Sequence, residues 1–289
     1  MNLHAIETGN FKLDGGAMFG VIPKSLWHKV YPADENNLCN FSLRCLVAET
    51  NGRKILIDAG LGTKQNEKFF GYYFLSGSDS LEGSFHSSGL TKEEITDVIL
   101  THLHFDHCGG AVEYEPTTQS YRPAFPHATY WVSRDQWEWA MHPNPREQAS
   151  YLKENMMPLM EKGCIRFIEG NTFLLPKVEI RLFYGHTAGL AIPLLHIDKD
   201  RTLVYTADLF PTIAHIPGSW VCGYDTKPLV SMKERSDFLA EAYEKRYTLF
   251  FEHDVNTECC TLKQTEKGIR ADRLLTLKEF LNSWPKSMH

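Results

Sequence analysis

Long apolar runs are missing from this 289-residue chain: no stretch approaches the ~20 consecutive apolar residues of a membrane-spanning helix, so no membrane partner is expected. Residues 1–10 show no basic head followed by an apolar run, so no signal peptide is expected. Cationic excess is missing too. Lys and Arg number 30 against 36 Asp and Glu, a formal net charge of −6. That balance argues against a surface that tracks phosphates, and nucleic acid is not an expected partner. A disulfide framework is not expected from an odd count of seven cysteines, with Cys259 and Cys260 adjacent. They read as reduced thiols of a cytoplasmic protein. The glycine-rich stretch of residues 15–20 lacks the Gly-Lys-Ser/Thr ending of a phosphate loop, so nucleotide binding is not expected. No composition shift or linker divides the chain, and residues 1–289 are read as one domain.

What the sequence does hold is a dense cluster of metal-ligand types. Thr101-His-Leu-His-Phe-Asp-His-Cys108 places His102, His104, Asp106 and His107 within six residues. It follows the apolar run Val98-Ile99-Leu100 and precedes Gly109-Gly110, so it reads as the turn leaving a buried strand. In extended backbone, residues two apart point the same way, so His102 and His104 can reach one ion. Asp106 and His107 lie past the bend and point to where a second ion would sit. Cys108 adjoins the cluster and reads first as a small packing residue.

Several elements can be placed around it. Residues 41–48 and 54–58 read as strands joined through Asn51-Gly52, a hairpin turn signal. Asp58, at the end of the second, suits either a carboxylate supporting a metal ligand or a cap of its own turn. Residues 11–24 are expected to be a glycine-rich loop, 63–90 an irregular excursion and 114–127 a proline-bearing loop. Thr91 and Glu94 form a capping box opening a short helix. Residues 128–132 read as a strand followed by a helix from Ser133. Helical spacing resumes over 146–160, with Leu152, Met156 and Leu159 on one face and a kink at Pro158. That Met-bearing face reads as core, as a lid or as a homodimer contact. Strands are expected at 165–168, 178–183, 192–197, 202–205 and 247–251. A capping box at Ser231 opens a helix whose inner face holds Phe238, Leu239, Ala242 and Tyr243. Leu277, Phe280, Leu281 and Trp284 make the last helix amphipathic. The pattern predicts an α+β fold: two packed mixed sheets with helices outside.

Ligand types recur at strand ends: the opening cluster, then His186, Asp208 and His253. Seven donors are too many for one tetrahedral zinc and suit two metals sharing a carboxylate. Two metals ~3.5–4 Å apart hold a hydroxide that serves as nucleophile near neutral pH.

Taken together, His102-x-His104-x-Asp106-His107, Gly185-His186-Thr187, Asp208 and His253 resemble the metallo-β-lactamase-fold hydrolase superfamily across nearly the whole chain. The resemblance implies a four-layer αβ/βα sandwich with a dinuclear site at one edge of the sheets. It implies that His102, His104 and His186 bind one ion, that Asp106, His107 and His253 bind the other, and that Asp208 bridges them. It gives Asp106 a second, catalytic role in carrying a proton to the leaving group. The ions are expected to be Zn²⁺, with manganese, iron or cobalt compatible.

Within the superfamily, residues 14–20 and 208–215 are most similar to the branch of quorum-quenching N-acyl-homoserine lactonases and organophosphate hydrolases. The expected substrate is therefore a small lactone or ester. A phosphotriesterase or arylesterase is the alternative, and a non-catalytic metal-binding sensor a further one. Members of that branch place a Tyr three residues after the bridging Asp, where this chain has Pro211. Either Tyr224 or His215 supplies the missing donor, or the substrate is not a lactone. Met18, Phe19, Phe210 and Trp220 are expected either to make an apolar pocket or to pack in the core.

Overall fold

The computed structural model describes residues 1–282. Strands β1 (Asn2–Asp14), β2 (Leu38–Thr50), β3 (Arg53–Ile57) and β4 (Asp97–Ile99) are followed by a small hairpin, β5 (Val112–Glu115) and β6 (Ser120–Pro123). Strands β7 (Thr129–Ser133) and β8 (Ile165–Ile168) complete the first sheet, ordered β1-β2-β3-β4-β7-β8. The second sheet is built from β9 (Thr172–Leu175), β10 (Val178–Phe183), β11 (Leu190–His196), β12 (Thr202–Tyr205), β13 (Thr248–Phe250), β14 (Cys259–Thr265) and β15 (Gly268–Leu275). Its order is β15-β14-β13-β12-β11-β10-β9.

The two sheets face each other across one apolar layer, in which Leu46, Ile57 and Ile99 meet Ile180, Leu194, Val204 and Phe250. The outer face of the first sheet, with Val47, Leu56 and Val98, is covered by Phe85, Trp137, Met156 and Leu159 from helices. This is the expected sandwich. No helix among the described residues is long and apolar enough to cross a membrane.

Strand direction is what makes the site. β3 pairs parallel with β4, and β12 pairs parallel with β13. Each parallel pair brings two strand ends to the same edge, and loops beyond such ends can gather residues distant in sequence. β2 ties the edges together, because Ser42 N donates to His253 O at 3.0 Å and Arg44 N to Glu252 O at 3.1 Å.

Several expectations need correcting. β1 runs to Asp14, and Gly15–Phe19 form a helical turn capped by Asp14, whose Oδ1 accepts from Ala17 N at 2.8 Å. The local glycines had suggested a loop, but Gly15 is there because a Cβ would lie 2.3 Å from the Trp27 ring. Residues 63–90 contain two short helices, Glu67–Gly71 and Leu81–Ser87, with Asn66 and Ser80 as N-caps. The expected loop at 114–127 holds the β5–β6 hairpin; Pro123 stands opposite Val112 at the end of β6, where its missing N–H is tolerated.

The helix expected over 146–160 begins only at Lys153, after a 3₁₀ turn at Gln148–Ser150, and contains Pro158. Its Met156 and Leu159 are core residues packed beneath the first sheet. The second long helix starts at Pro228, so Ser231 lies within its first turn and caps nothing. Tyr243 on that helix is exposed rather than inward. Strands β1, β9, β14 and β15 are not expected from the sequence. The last helix spans Leu277–Asn282, and Trp284 lies outside the described residues.

Candidate metal centre

The opening motif leaves β4 as expected. His102 and His104 stand on the loop, and Asp106 and His107 on the one-turn helix Phe105–Cys108 that follows. His186 follows β10, Asp208 follows β12 and His253 follows β13. All seven meet at one edge of the sandwich. The backbone is strained nearby: Asp58 and Ala207 both have positive φ, 56° and 40°. Such conformations persist where the surroundings fix them, and they concentrate at functional sites.

Two groups form, and Asp208 lies between them. In the first, His104 Nδ1 is 3.0 Å from His102 Nε2 and 3.3 Å from His186 Nε2, and Asp208 Oδ2 is 3.1 Å from His186 Nε2. In the second, His107 Nε2 is 3.2 Å from His253 Nε2, and Asp106 Oδ2 is 3.8 Å from both. Asp208 turns its other oxygen, Oδ1, to His253 Nε2 at 3.3 Å.

The outward nitrogens explain the inward ones. His186 Nδ1 meets Asp225 Oδ1 at 2.8 Å, and His253 Nδ1 meets Ser42 O at 2.9 Å. His107 Nδ1 meets Asp58 Oδ2 and Glu252 Oε2, each at 3.0 Å. His102 Nδ1 meets the Thr101 hydroxyl at 3.2 Å, and that hydroxyl donates to Asp58 Oδ2 at 2.7 Å. His104 Nε2 faces Glu147 Oε1 at 3.4 Å. With an oxygen acceptor outside each ring, the proton sits outside and the lone pair points in. Five lone pairs then face one another at contact distance, an arrangement that a cation between them stabilises.

Electrostatics point the same way. Burial pushes His102 and His104 down. Burial also acts on His186 and His253, but Asp208 outweighs it and holds them up at about 10 and about 9. Desolvation works against the Asp208 carboxylate, yet His186, His107 and His253 keep it well below the usual carboxylate range. The carboxylates here call for positive charge, and packed imidazoles are poor carriers of several protons at once. The residues present fit divalent ions.

A cavity of about 190 Å³ opens over this floor, lined by Leu13, Met18, Tyr73, Phe105, Arg146 and Tyr224 together with His104, Asp106, His186, Asp208 and His253. Of the six residues expected to form the pocket, Met18 and Tyr224 line it. The other four do not. Phe19 is fully buried, stacked on His215 with ring centroids 4.8 Å apart. Both nitrogens of His215 are engaged, Nδ1 with Thr212 Oγ1 at 2.8 Å and Nε2 with Met18 O at 3.0 Å. His215 thus supports the Met18 backbone from behind. Phe210 is fully buried in the core against Phe238, and Trp220 packs edge-on against Phe19.

Residues 44–260 match the sequence profile of the metallo-beta-lactamase superfamily. The chain belongs to that superfamily. It is a metal-dependent hydrolase, as the superfamily match and its relatives support. The chain is 27% identical over 234 residues to an N-acyl homoserine lactonase of Bacillus cereus, an overlap covering 77% of this chain and 85% of the relative. Among solved structures it is similar to a probable metal-dependent hydrolase from Staphylococcus aureus. There the TM-score is 0.86 and the identity 29%, over 95% of this chain and 96% of that one. A dizinc quorum-quenching lactonase shares the fold with a TM-score of 0.78 at 19% identity, over 95% of each chain.

Sequence reasoning missed three acids against the superfamily's histidines: Glu147, Asp225 and Glu252. Glu252 adjoins His253 in an otherwise apolar strand end, a signal that was available. Burial and the neighbouring Asp58 push its carboxyl up to about 7 despite His107. Glu147 and Asp225 stand far along the chain from the rings they meet, and no local pattern marks them.

Proposed function

We propose that the protein is a dinuclear metal-dependent lactonase, acting on N-acyl homoserine lactones or related lactones and esters. The observation that carries this reading is the pair of donor groups on either side of Asp208 at the floor of a cavity. His102, His104 and His186 would hold one ion, and Asp106, His107 and His253 the other, with Asp208 shared between them. The all-nitrogen-and-oxygen donor set suits zinc, and also manganese, iron or cobalt. Bound there, two such ions supply a nucleophile from water near neutral pH and polarise the carbonyl under attack. The lactonase relatives, at 26–27% identity, support the substrate class. Seven free cysteines support a reducing, cytoplasmic setting.

The chain's own residues divide the remaining work. Asp106 lies at the cavity floor and carries the proton to the departing ring oxygen. Tyr73 and Tyr224 line the same cavity, and their hydroxyls make no hydrogen bond among the described residues. Tyr224 replaces the donor that Pro211 cannot provide; His215 does not, since both its nitrogens are engaged. Burial pushes both phenols up, so they stay protonated and able to donate. Met18, Leu13 and Phe105 give the apolar wall for the acyl portion.

Tyr224→Phe is expected to lower kcat/KM for lactones by roughly 10²-fold, the effect of removing one donor to developing negative charge. Its metal content should stay unchanged. A panel of acyl-homoserine lactones, simple lactones, aryl esters and aryl phosphotriesters on metal-loaded protein tests the assignment. Turnover of lactones above the rest supports it. Pro211 in place of a tyrosine favours a second reading, phosphotriester hydrolysis, and phosphotriesters turned over far faster than lactones would establish that reading instead.

A further inference from the structure

Residues 143–151 connect the helix Arg134–Met141 to the helix Lys153–Glu161 and wrap one side of the cavity. The segment is folded around a single carboxylate. Asn144 Oδ1 accepts from the backbone N–H groups of Arg146 at 2.9 Å and Glu147 at 3.2 Å, a turn that points Glu147 inward. Glu147 is only 3% exposed. Its Oε2 accepts from Trp139 Nε1 and Asn144 Nδ2, both at 2.7 Å. Two donors on Oε2 leave Oε1 to face the site. Oε1 accepts from the Tyr151 hydroxyl at 3.3 Å and stands 3.4 Å from His104 Nε2. His104 Nε2 is buried and makes no hydrogen bond of normal geometry, so the carboxylate faces it at ion-pair range. The Tyr151 hydroxyl also meets Thr187 Oγ1 at 2.8 Å, next to His186. The carboxylate therefore faces His104, and the phenol ties it to Thr187, the residue after His186.

We propose that Glu147 is a positioning residue for the metal centre: its carboxylate holds the Nε2 proton of His104 and so aims Nδ1 at the ion shared with His102 and His186. This rests on the dinuclear reading above. A charged acceptor on the far nitrogen fixes the ring's tautomer and orientation and raises the basicity of the ligating nitrogen. Trp139 and Asn144 lock the carboxylate so that this orientation is set before any ion arrives. The second donor group has its own brace, Glu252 on His107, carried by the end of β13, whereas Asp58 touches His107 and also reaches His102 through Thr101. The two ions are thus supported from different parts of the fold, and each can be weakened separately.

The test is stepwise titration of metal-free wild type, Glu147→Gln and Glu252→Gln with Co²⁺, followed by visible absorption, with Tm of each metal-free protein as a folding control. Wild type is expected to bind two ions. Glu147→Gln should bind one ion with wild-type affinity and the other about 10–100-fold more weakly, with an unchanged metal-free Tm. Glu252→Gln should weaken the opposite step and leave a different cobalt spectrum. Wild-type affinity for both ions in Glu147→Gln overturns the role of Glu147. Equal weakening of both ions, with a lowered metal-free Tm, also overturns it by assigning Glu147 to the fold. A wild-type protein that binds no ion overturns the reading of the site itself.

Discussion

The Asp208→Ala protein is expected to lose hydrolytic activity by more than about a thousand-fold while keeping its fold. Loss of a single donor to developing charge costs ~10²–10³-fold in other hydrolases, and Asp208 serves both halves of this site. Its Oδ2 lies 3.1, 3.6 and 3.7 Å from the inner nitrogens of His186, His107 and His102, and its Oδ1 lies 3.3 Å from that of His253. Without it, no carboxylate stands between the two groups of imidazoles, and an ion on either side loses its shared anionic donor. The loss should be visible as metal content as well as rate. Asp208→Asn separates the causes, because it keeps the shape and removes the charge. Among the described residues its side chain anchors no backbone hydrogen bond, so the metal-free Tm should stay close to wild type. Full activity in Asp208→Ala would remove the bridging role.

The second large effect is expected from a methyl group. Gly110→Ala should destabilise the protein and disable the site together. The turn after β3 and the turn after the one-turn helix interlock: Ala59 N donates to His107 O at 2.8 Å, and Gly110 N to Gly60 O at 2.9 Å. A Cβ on Gly110 would lie 2.1 Å from Ala59 O, and one on Gly109 would lie 2.0 Å from Leu61 O. Both obstacles are backbone, so neither can rotate away. Overpacking of this kind costs about 1–3 kcal/mol. In a chain of this size each kcal/mol moves Tm by roughly 2–4 °C. A fall in Tm of about 5 °C is expected, with weakened metal binding because Asp58, next to the clash, moves off His107 and Thr101. Gly71→Ala, with nothing within 4 Å and no positive φ, is the control and should be silent. An unchanged Tm in Gly110→Ala would contradict the interlock.

How much of this was legible beforehand follows from how far each contact reaches along the chain. The motif at residues 102–107 was readable because four donors share one turn. His186, Asp208 and His253 were readable because each follows an apolar run that had to be a strand. Asp58 was legible as a carboxylate able to support a metal ligand, and the structure places it on His107 and Thr101. Glu147 and Asp225 were not readable. Asp225 meets a ring 39 residues before it and Glu147 one 43 residues before it, and only the closed fold brings them there. The pocket was half legible for the same reason. Met18 and Tyr224 face the cavity, whereas Phe19, Phe210, Trp220 and His215 pack behind it, and aromatic composition alone cannot tell a wall from its backing. The β14–β15 hairpin escaped because its middle is polar and exposed, so it carries little of the alternation that marks a half-buried strand.

The central claim is that two divalent ions occupy the groups on either side of Asp208. Metal-free protein equilibrated with excess Zn²⁺, dialysed against metal-free buffer and assayed by elemental analysis tests it most directly. Close to two ions per chain is the expected result, falling below one in Asp208→Ala. One ion or fewer per wild-type chain would contradict the dinuclear site.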